Sequence, residues 1–483
     1  MANHIKIPQK GLTESEIFEN LNDLKKNDIP YRDGKVLAYV YMPDLDVEQI
    51  CKKAYSLFLS ENGLDPTAFP SLLKMERDLI SMVTNLLHGD DEVVGNFTSG
   101  GTESIILAVK TARDIFRNKK PGIRPSILLA ETAHAAFHKA AHYLDVDVKM
   151  LDVETSTFEM VPAQVEEAID ETTMLIIASA PSYAHGVIDP IEQIGKIAER
   201  NNILFHVDAC VGGMYLPFLN SLGYTTKSFD FSVSGVTSIS CDLHKYGYAA
   251  KGASVILYKN KSMRSHQIFS CASWSGYAVV NATVTSSKTG GPLAGAWATL
   301  HAIGQSGYER MVEMTQQATQ KMISFVDSHS HLKMLGKPAM NLLAFQSLDP
   351  LCSVFAISQI MSSKGWHIQV QFESACSPAA IHLSINYANV DSIDELISDL
   401  AWAIQTCQAQ SSKDQSLSLD AILPMIEHLN VDSFDAMAEM MGIGDATSMG
   451  DNMVMVNELL NSLTPALRNK LLTLFMNKAY VSE

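Results

Sequence analysis

From about residue 76 the chain alternates short apolar runs with stretches of helical periodicity, and this alternation leaves few architectures open. Ser126 to Ala130, Met174 to Ala178, Ile203 to Val207 and Ser254 to Tyr258 are too short for stable helices and too apolar for exposed loops. Between them lie helical patterns. In Thr102 to Arg117 the apolar positions Ile105, Ile106, Val109, Ala112 and Phe116 recur at helical spacing, and Pro190 to Arg200 reads the same way. Strands alternating with helices predict βαβ units, hence a mainly parallel central sheet flanked by helices on both faces. After about residue 292 the texture changes. Leu293 to Gln320 predicts one or two long helices. Residues 332–405 mix strands (Leu342 to Phe345, Ile381 to Ile385) with a helix (Asp391 to Gln405), as expected of a smaller α+β domain. Gln408 to Leu417 reads as a linker, and 418–483 as a Met-rich helical extension. The expected division is 1–75, 76–305, 306–410 and 411–483.

Composition narrows the function. Lys and Arg number 36 against 53 Asp and Glu, a formal charge of −17. Such a chain is a poor partner for nucleic acid or an anionic membrane surface, so any anion it binds must sit in a local pocket. The seven cysteines are widely spaced with no C-x-x-C pair, which fits a reducing compartment. The segment MANHIKIPQKGLTESE has no apolar signal core, and no run of about 18 apolar residues occurs. A soluble cytoplasmic protein without a membrane anchor is expected.

Three segments carry chemistry. In Val236 to Leu257, Lys245 follows His244 between two apolar segments. A lysine on a surface is a solvated charge, but one held among apolar neighbours loses hydration, and its neutral, nucleophilic form is favoured. In ILFHVDACVGG (203–213), Asp208 ends an apolar strand, where α/β sheets place ligands. It reads either as a turn or cap residue or as a buried partner for a protonated ring nitrogen. In NFTSGGTES (96–104), Gly100 and Gly101 admit close backbone approach at a helix start, with the Ser99 and Thr102 hydroxyls beside them. This is an ordinary N-cap or an anion cradle.

A phosphate cradle, a strand-end Asp and a His-Lys pair in that order resemble the group II pyridoxal-phosphate (PLP)-dependent decarboxylases, and within them the sphingosine-1-phosphate lyase branch. The segments SGGTES (99–104), ETAHAAFHKA (131–140), PSYAHGVIDP (181–190), HVDACVGG (206–213), GVTSISCDLHKYGYAAKG (235–252) and LAGAWATLHAIGQSGYE (293–309) carry the likeness, with a weaker match at 451–463. The resemblance implies a type I aminotransferase fold, PLP as cofactor and a homodimer with shared active sites. Lys245 is implied as the Schiff-base lysine, Asp208 as the partner of the pyridine nitrogen and His134 as the imidazole stacked on the ring. Ser99, Gly100, Gly101, Thr102 and His244 are implied as the phosphate cradle. Ser287, with Gly290 and Gly291, matches a loop that reaches a neighbouring subunit's cofactor. Tyr41 and Lys251 match substrate contacts. His134, His138 and His142 share a helical face, but HAAFH lacks the glutamate of a zinc-protease motif, and no metal is expected.

Departures from the family pattern gather around the substrate. Asp65 stands where the family has a histidine that helps hold the substrate phosphate, and 71–74 reads Ser-Leu-Leu-Lys where a basic residue is expected earlier. The crossing loop reads Ser287-Lys288-Thr289-Gly290-Gly291, with Lys288 and Thr289 for Arg and Pro, while Leu243 and Ala250 replace Thr and Pro. A carboxylate at 65 repels a substrate phosphate, unless it only caps the turn before Pro66. The implied activity is a carbon–carbon lyase acting on a primary amine. Either it cleaves a 2-amino-3-hydroxy compound to an aldehyde, on a substrate other than a typical sphingoid phosphate, or it removes CO2 from an amino acid. A binding protein that has lost catalysis is disfavoured by the retained Lys245, Asp208 and cradle.

Overall fold

The computed structural model describes residues 5–410, 426–440 and 453–481. Seven strands form the central sheet: β1 (Val94–Thr98), β2 (Ser126–Ala130), β3 (Asp147–Leu151), β4 (Thr173–Ser179), β5 (Leu204–Asp208), β6 (Ser238–Asp242) and β7 (Ser254–Tyr258). Their order across the sheet is β1-β7-β6-β5-β4-β2-β3. All run the same way except β7, which is antiparallel to both neighbours. The apolar runs read from the sequence are β2, β4, β5 and β7, and every residue of β2, β4 and β7 is buried. Helices on both faces explain this, since a sheet covered twice needs no polar alternation.

Helix Gly101–Lys119 buries Ile105, Val109, Ala112 and Phe116 against β2 and β4, the stripe its periodicity predicted. Gly290–Ser328 is two helices joined at Gly304, where φ is 62°. Beyond it, β10 (Leu332–Met334), β11 (Leu342–Ser347), β12 (Gln369–Gln371) and β13 (Ala380–Ser384) form an antiparallel sheet in the order β10-β11-β13-β12. Helices Val354–Ser362 and Ile393–Gln410 pack on it around a second core that includes Phe345, Phe355 and Trp366. The last of these helices runs through Gln408 to Gln410, where a linker was expected; the rest of that stretch lies outside the described residues. Helices Val431–Met440, Met453–Ser462 and Pro465–Ala479 share a small core built on Phe434, Leu459 and Leu471. Among the described residues no helix is long and apolar enough to cross a membrane, and all seven cysteines are free.

The N-terminal segment is laced into both lobes by single bridges, Val36 to His367 and Asn62 to Thr289. The second bridge sets the start of helix Gly290–Ser328 against helix Leu45–Leu57. A Cβ on Gly290 would stand 2.7 Å from the Phe58 carbonyl oxygen, and one on Gly291 2.7 Å from the Tyr55 ring. Backbone cannot yield as a side chain does. Gly290→Ala is therefore expected to cost about 1–3 kcal/mol of stability, the range for overpacking, read as a lower urea midpoint at unchanged m-value.

Candidate active site

The carboxyl ends of β1, β4, β5 and β6 lie at one edge of the sheet, and the start of β7 joins them there. At this edge is a cavity of about 360 Å³, lined by Gly100, Gly101, Thr102, His134, Asp208, His244 and Lys245, with Ser99 at its mouth. This is within the size range of small-molecule sites. Five segments far apart in sequence meet here because strand ends carry them to one edge.

Thr98 ends β1, and Gly101 opens a 19-residue helix. Between them Gly100 has φ 152°, a backbone that residues with a Cβ avoid. No side chain caps this helix, so its first-turn N–H groups are free to face an anion. A Cβ on Gly101 would stand 2.8 Å and 2.9 Å from the Asp242 carboxylate oxygens and 2.9 Å from Cys210 Sγ. Glycine there keeps the helix start tight on the cavity floor. The Ser99 amide donates to Glu103 Oε2 at 2.6 Å, and Glu103 Oε1 accepts the Val284 amide at 2.7 Å. Glu103 thus ties the cradle to the loop that carries Ser287.

Lys245 Nζ lies 2.9 Å from Asp242 Oδ2. Burial alone would push the amine towards its neutral form, as expected from the sequence. The Asp242 charge, the Cys210 and Tyr41 groups and the hydrogen bond to Asp242 together outweigh it, and the ammonium is held above the ordinary lysine value. The amine is thus charged and not neutral, because a carboxylate stands three residues upstream and reaches it. Asp242 itself is held below the ordinary carboxylate range, since the Lys245 and His244 charges overcome its burial. Its Oδ1 is buried with no hydrogen-bond partner.

Asp208, 7% exposed, ends β5 and accepts the Cys210 amide at 3.0 Å. His134 stands in the cavity wall with Nδ1 accepting the Ala136 amide at 3.1 Å, which fixes the ring's tilt. His138 and His142 point to solvent. His244 Nδ1 accepts the Ala253 amide at 3.2 Å, and burial lowers its pKa.

Tyr41 meets the Tyr246 ring edge-on at 4.9 Å, and Lys251 Nζ sits 4.9 Å from the Tyr41 ring centroid while donating to the His244 carbonyl at 3.2 Å. Both therefore stand beside the Lys245 segment. Three expected groups lie elsewhere in the chain. Asp65 is exposed, and its Oδ1 accepts both the amide and the hydroxyl of Thr67, at 2.8 Å and 2.6 Å. These bonds, the hydroxyl's first, hold its carboxyl below the usual range. Asp65 thus caps its own turn and does not line the cavity. Ser287 is exposed on its loop. Gly290 and Gly291 do not line the cavity either; they are buried where helix Gly290–Ser328 meets helix Leu45–Leu57.

Tyr183 was not foreseen. It lines the cavity, donates to Gln369 Oε1 at 2.7 Å and lies 4.3 Å from the His382 ring, so it joins the two lobes at the site. The tyrosine of PSYAHG carried no signal of its own until β12 and β13 were known to pack beside it.

The set fits PLP. An uncapped helix N-terminus suits a phosphate, a carboxylate ends the central strand where it suits a ring nitrogen, and an amine lines the same cavity. Residues 2–348 match the family model described as the pyridoxal-dependent decarboxylase conserved domain. The chain belongs to that family. A second model, for a candidate HTH domain at the C-terminus of pyridoxal-dependent enzymes, matches 415–478. Sphingosine-1-phosphate lyase of Oryza sativa is 37% identical over 83% of this chain and 75% of that protein, and that of Arabidopsis thaliana 38% over 83% and 74%. Among solved structures, sphingosine-1-phosphate lyase of Burkholderia pseudomallei has a TM-score of 0.79 at 30% identity, covering 83% of this chain and 92% of the other. Glutamate decarboxylase of Lactobacillus brevis, at 18% identity, shares the fold, with a TM-score of 0.75 over 86% and 96%. The fold is the type I aminotransferase fold, and the protein is a PLP-dependent lyase.

Proposed function

We propose that this lyase cleaves the Cα–Cβ bond of a 2-amino-3-hydroxy compound, releasing an aldehyde, in the cytoplasm. The observation that carries the reading is one cavity that holds both Lys245, paired with Asp242, and the uncapped first turn of helix Gly101–Lys119, with Tyr41 and Lys251 beside the Lys245 segment. PLP, when bound, supplies the electron sink that takes up the pair of electrons left at Cα. The chain supplies the rest. The helix N-terminus and the Thr102 hydroxyl hold the cofactor's phosphate, and His134 covers its ring. Asp208 holds a proton at the ring nitrogen. Tyr41 and Lys251 orient the substrate's distal part, which decides the bond to be broken. The identity to sphingosine-1-phosphate lyases supports aldehyde release over loss of CO2. The family's imidazole is missing at 65, where Asp65 instead closes its own turn, and Lys74 is paired outward with Asp78; fewer cations for a distal phosphate support a substrate other than a long-chain sphingoid phosphate. The test is product detection across amino alcohols, their phosphates and amino acids. Aldehyde from an amino alcohol supports the proposal; CO2 alone, or a sphingoid phosphate as the best substrate, overturns it.

Lys251 gives this reading a pH signature. Partial desolvation, and then the Lys245 charge, pull its ammonium down to about 8. The cation is present below that pH and lost above it. KM for a substrate with an anionic distal group is expected to rise as pH passes about 8, and Lys251→Met to remove the inflection.

The working unit is proposed to be a homodimer. The ribbon β8 (Phe269–Cys271) and β9 (Val279–Asn281) leads to Ser287 and exposes Phe269, Trp274, Tyr277 and Val280, an apolar face suited to a second copy. A cofactor-loaded monomer in sedimentation would overturn this.

A further inference from the structure

Strand pairing places a polar column inside the sheet directly behind Asp208. His206 pairs with Ser238, and Asp208 with Ser240. His206 and Ser240 are both fully inaccessible to solvent. Ser238 Oγ lies 2.9 Å from His206 Nδ1, and Ser240 Oγ lies 3.2 Å from His206 Nε2. Ser240 Oγ is also 3.3 Å from Cys210 Sγ and 3.4 Å from Asp208 Oδ1. A polar group buried this deeply needs all its partners.

Counting protons fixes the direction of every bond. An ionised Asp208 only accepts, so Ser240 donates its single hydrogen to it. Ser240 Oγ then has two lone pairs to fill, and two neighbours remain, the Cys210 thiol and His206 Nε2. Both must donate. His206 Nε2 therefore carries the ring hydrogen, and its bare Nδ1 accepts from the Ser238 hydroxyl. The opposite order leaves Ser240 without a hydrogen for Asp208 and sets two oxygens against each other in the dry interior. Burial also keeps His206 neutral, with its pKa lowered to about 4.

We infer that Ser238, His206, Cys210 and Ser240 form a one-way donor network that ends on Asp208 and makes this carboxylate a weaker base, so that the proton it shares with the cofactor's ring nitrogen stays on the ring. His206 and Ser240 are thus positioning residues for the electron sink, acting through Asp208. The inference rests on the proposed pairing of Asp208 with that nitrogen, but the hydrogen positions are a property of the protein itself.

Neutron diffraction from deuterium-exchanged crystals of the loaded enzyme reads them directly. A deuteron on His206 Nε2, with that of Ser240 directed at Asp208, is the expected result. A deuteron on Nδ1 with Nε2 bare overturns the network, whatever Asp208 does. In solution, Ser240→Ala removes the last donor. A hydrogen bond to a charged group, once lost, is expected to lower kcat about tenfold to a hundredfold, with KM changed less than twofold and the visible absorbance band of the bound cofactor shifted. A folded, loaded Ser240→Ala enzyme with an unmoved band and wild-type kcat overturns the coupling. If the deuterons stand as expected while Asp208 is found away from the ring nitrogen, the network survives and the pairing fails.

Discussion

Lys245→Ala is expected to abolish turnover and the visible absorbance of the loaded protein, and Lys245→Arg to do the same while keeping the fold's stability. The two variants separate what this side chain does. Its amine is the group proposed to join the cofactor, and neither Ala nor Arg offers one. Its charge also compensates Asp242, which lies 2.9 Å away and is itself buried. Removing one partner of a buried pair leaves an uncompensated charge and typically costs about 3–5 kcal/mol. The unloaded Ala variant should therefore unfold at lower urea, and the Arg variant, which restores a cation, close to wild type. The sign with pH follows from the two shifts. Asp242 is held below its ordinary value, so its share of the pair's stability is present above about pH 4 and lost as pH falls through its native value. Lys245 is held above its ordinary value, so its share is present below about pH 10 and lost as pH rises further. The Ala variant's deficit should be largest between those limits. Substantial activity in Lys245→Ala would remove the assignment altogether.

The same residue shows where sequence reading reaches and where it stops. Its neighbourhood was legible: β5 and β7 are apolar runs, and the segment between them had to cross the ligand edge of a sheet. The protonation of Lys245 was not, because it depends on Asp242. β6 reads Ser-Ile-Ser-Cys-Asp, with serines where a buried strand usually has aliphatic residues. Those polar positions hid the strand from a hydrophobicity reading, and they are the ones that hold the Asp208 network and the lysine's partner. β1 and β3 escaped for related reasons, the first carrying Gly95 and Asn96, the second lying at the sheet edge with Asp147 and Met150 exposed. The N-terminal segment was opaque in another way. Tyr41 and Asp65 are placed by bridges to residues hundreds of positions away, and no local pattern records such a contact. For Asp65 the local pattern was the better guide, since Asp-Pro-Thr is a turn and the carboxylate closes it. Gly290 and Gly291 matched a cofactor loop, yet their missing Cβ atoms make room for Phe58 and Tyr55.

Asp208→Asn is expected to leave the fold and the cofactor's attachment intact and to lower kcat by about 10²–10³, the loss seen when one preorganised electrostatic contact at a developing charge is removed. The volume is unchanged. What changes is charge, and with it the hydrogen count of the network behind the residue. The amide has an oxygen and an NH2 group in place of two acceptors. If the oxygen takes the place of Oδ1, the Cys210 amide and the Ser240 hydroxyl keep their acceptor, and the NH2 group is presented to the ring nitrogen. A donor meeting that nitrogen favours its unprotonated form, so the ring no longer draws electrons from Cα as strongly. If the amide flips, the nitrogen's environment improves but Ser240 and Cys210 lose their acceptor in a buried site, which is worse for the fold. The first arrangement therefore wins. The expected signature is a loaded, stable enzyme with a moved visible band, a thermal midpoint near wild type and a low kcat at nearly unchanged KM. Because Ser240→Ala acts through the same carboxylate, adding it to Asp208→Asn should cost little more, and a double-mutant cycle should show strong coupling between the two positions. Additive losses would mean that Ser240 acts on the site by a route other than Asp208.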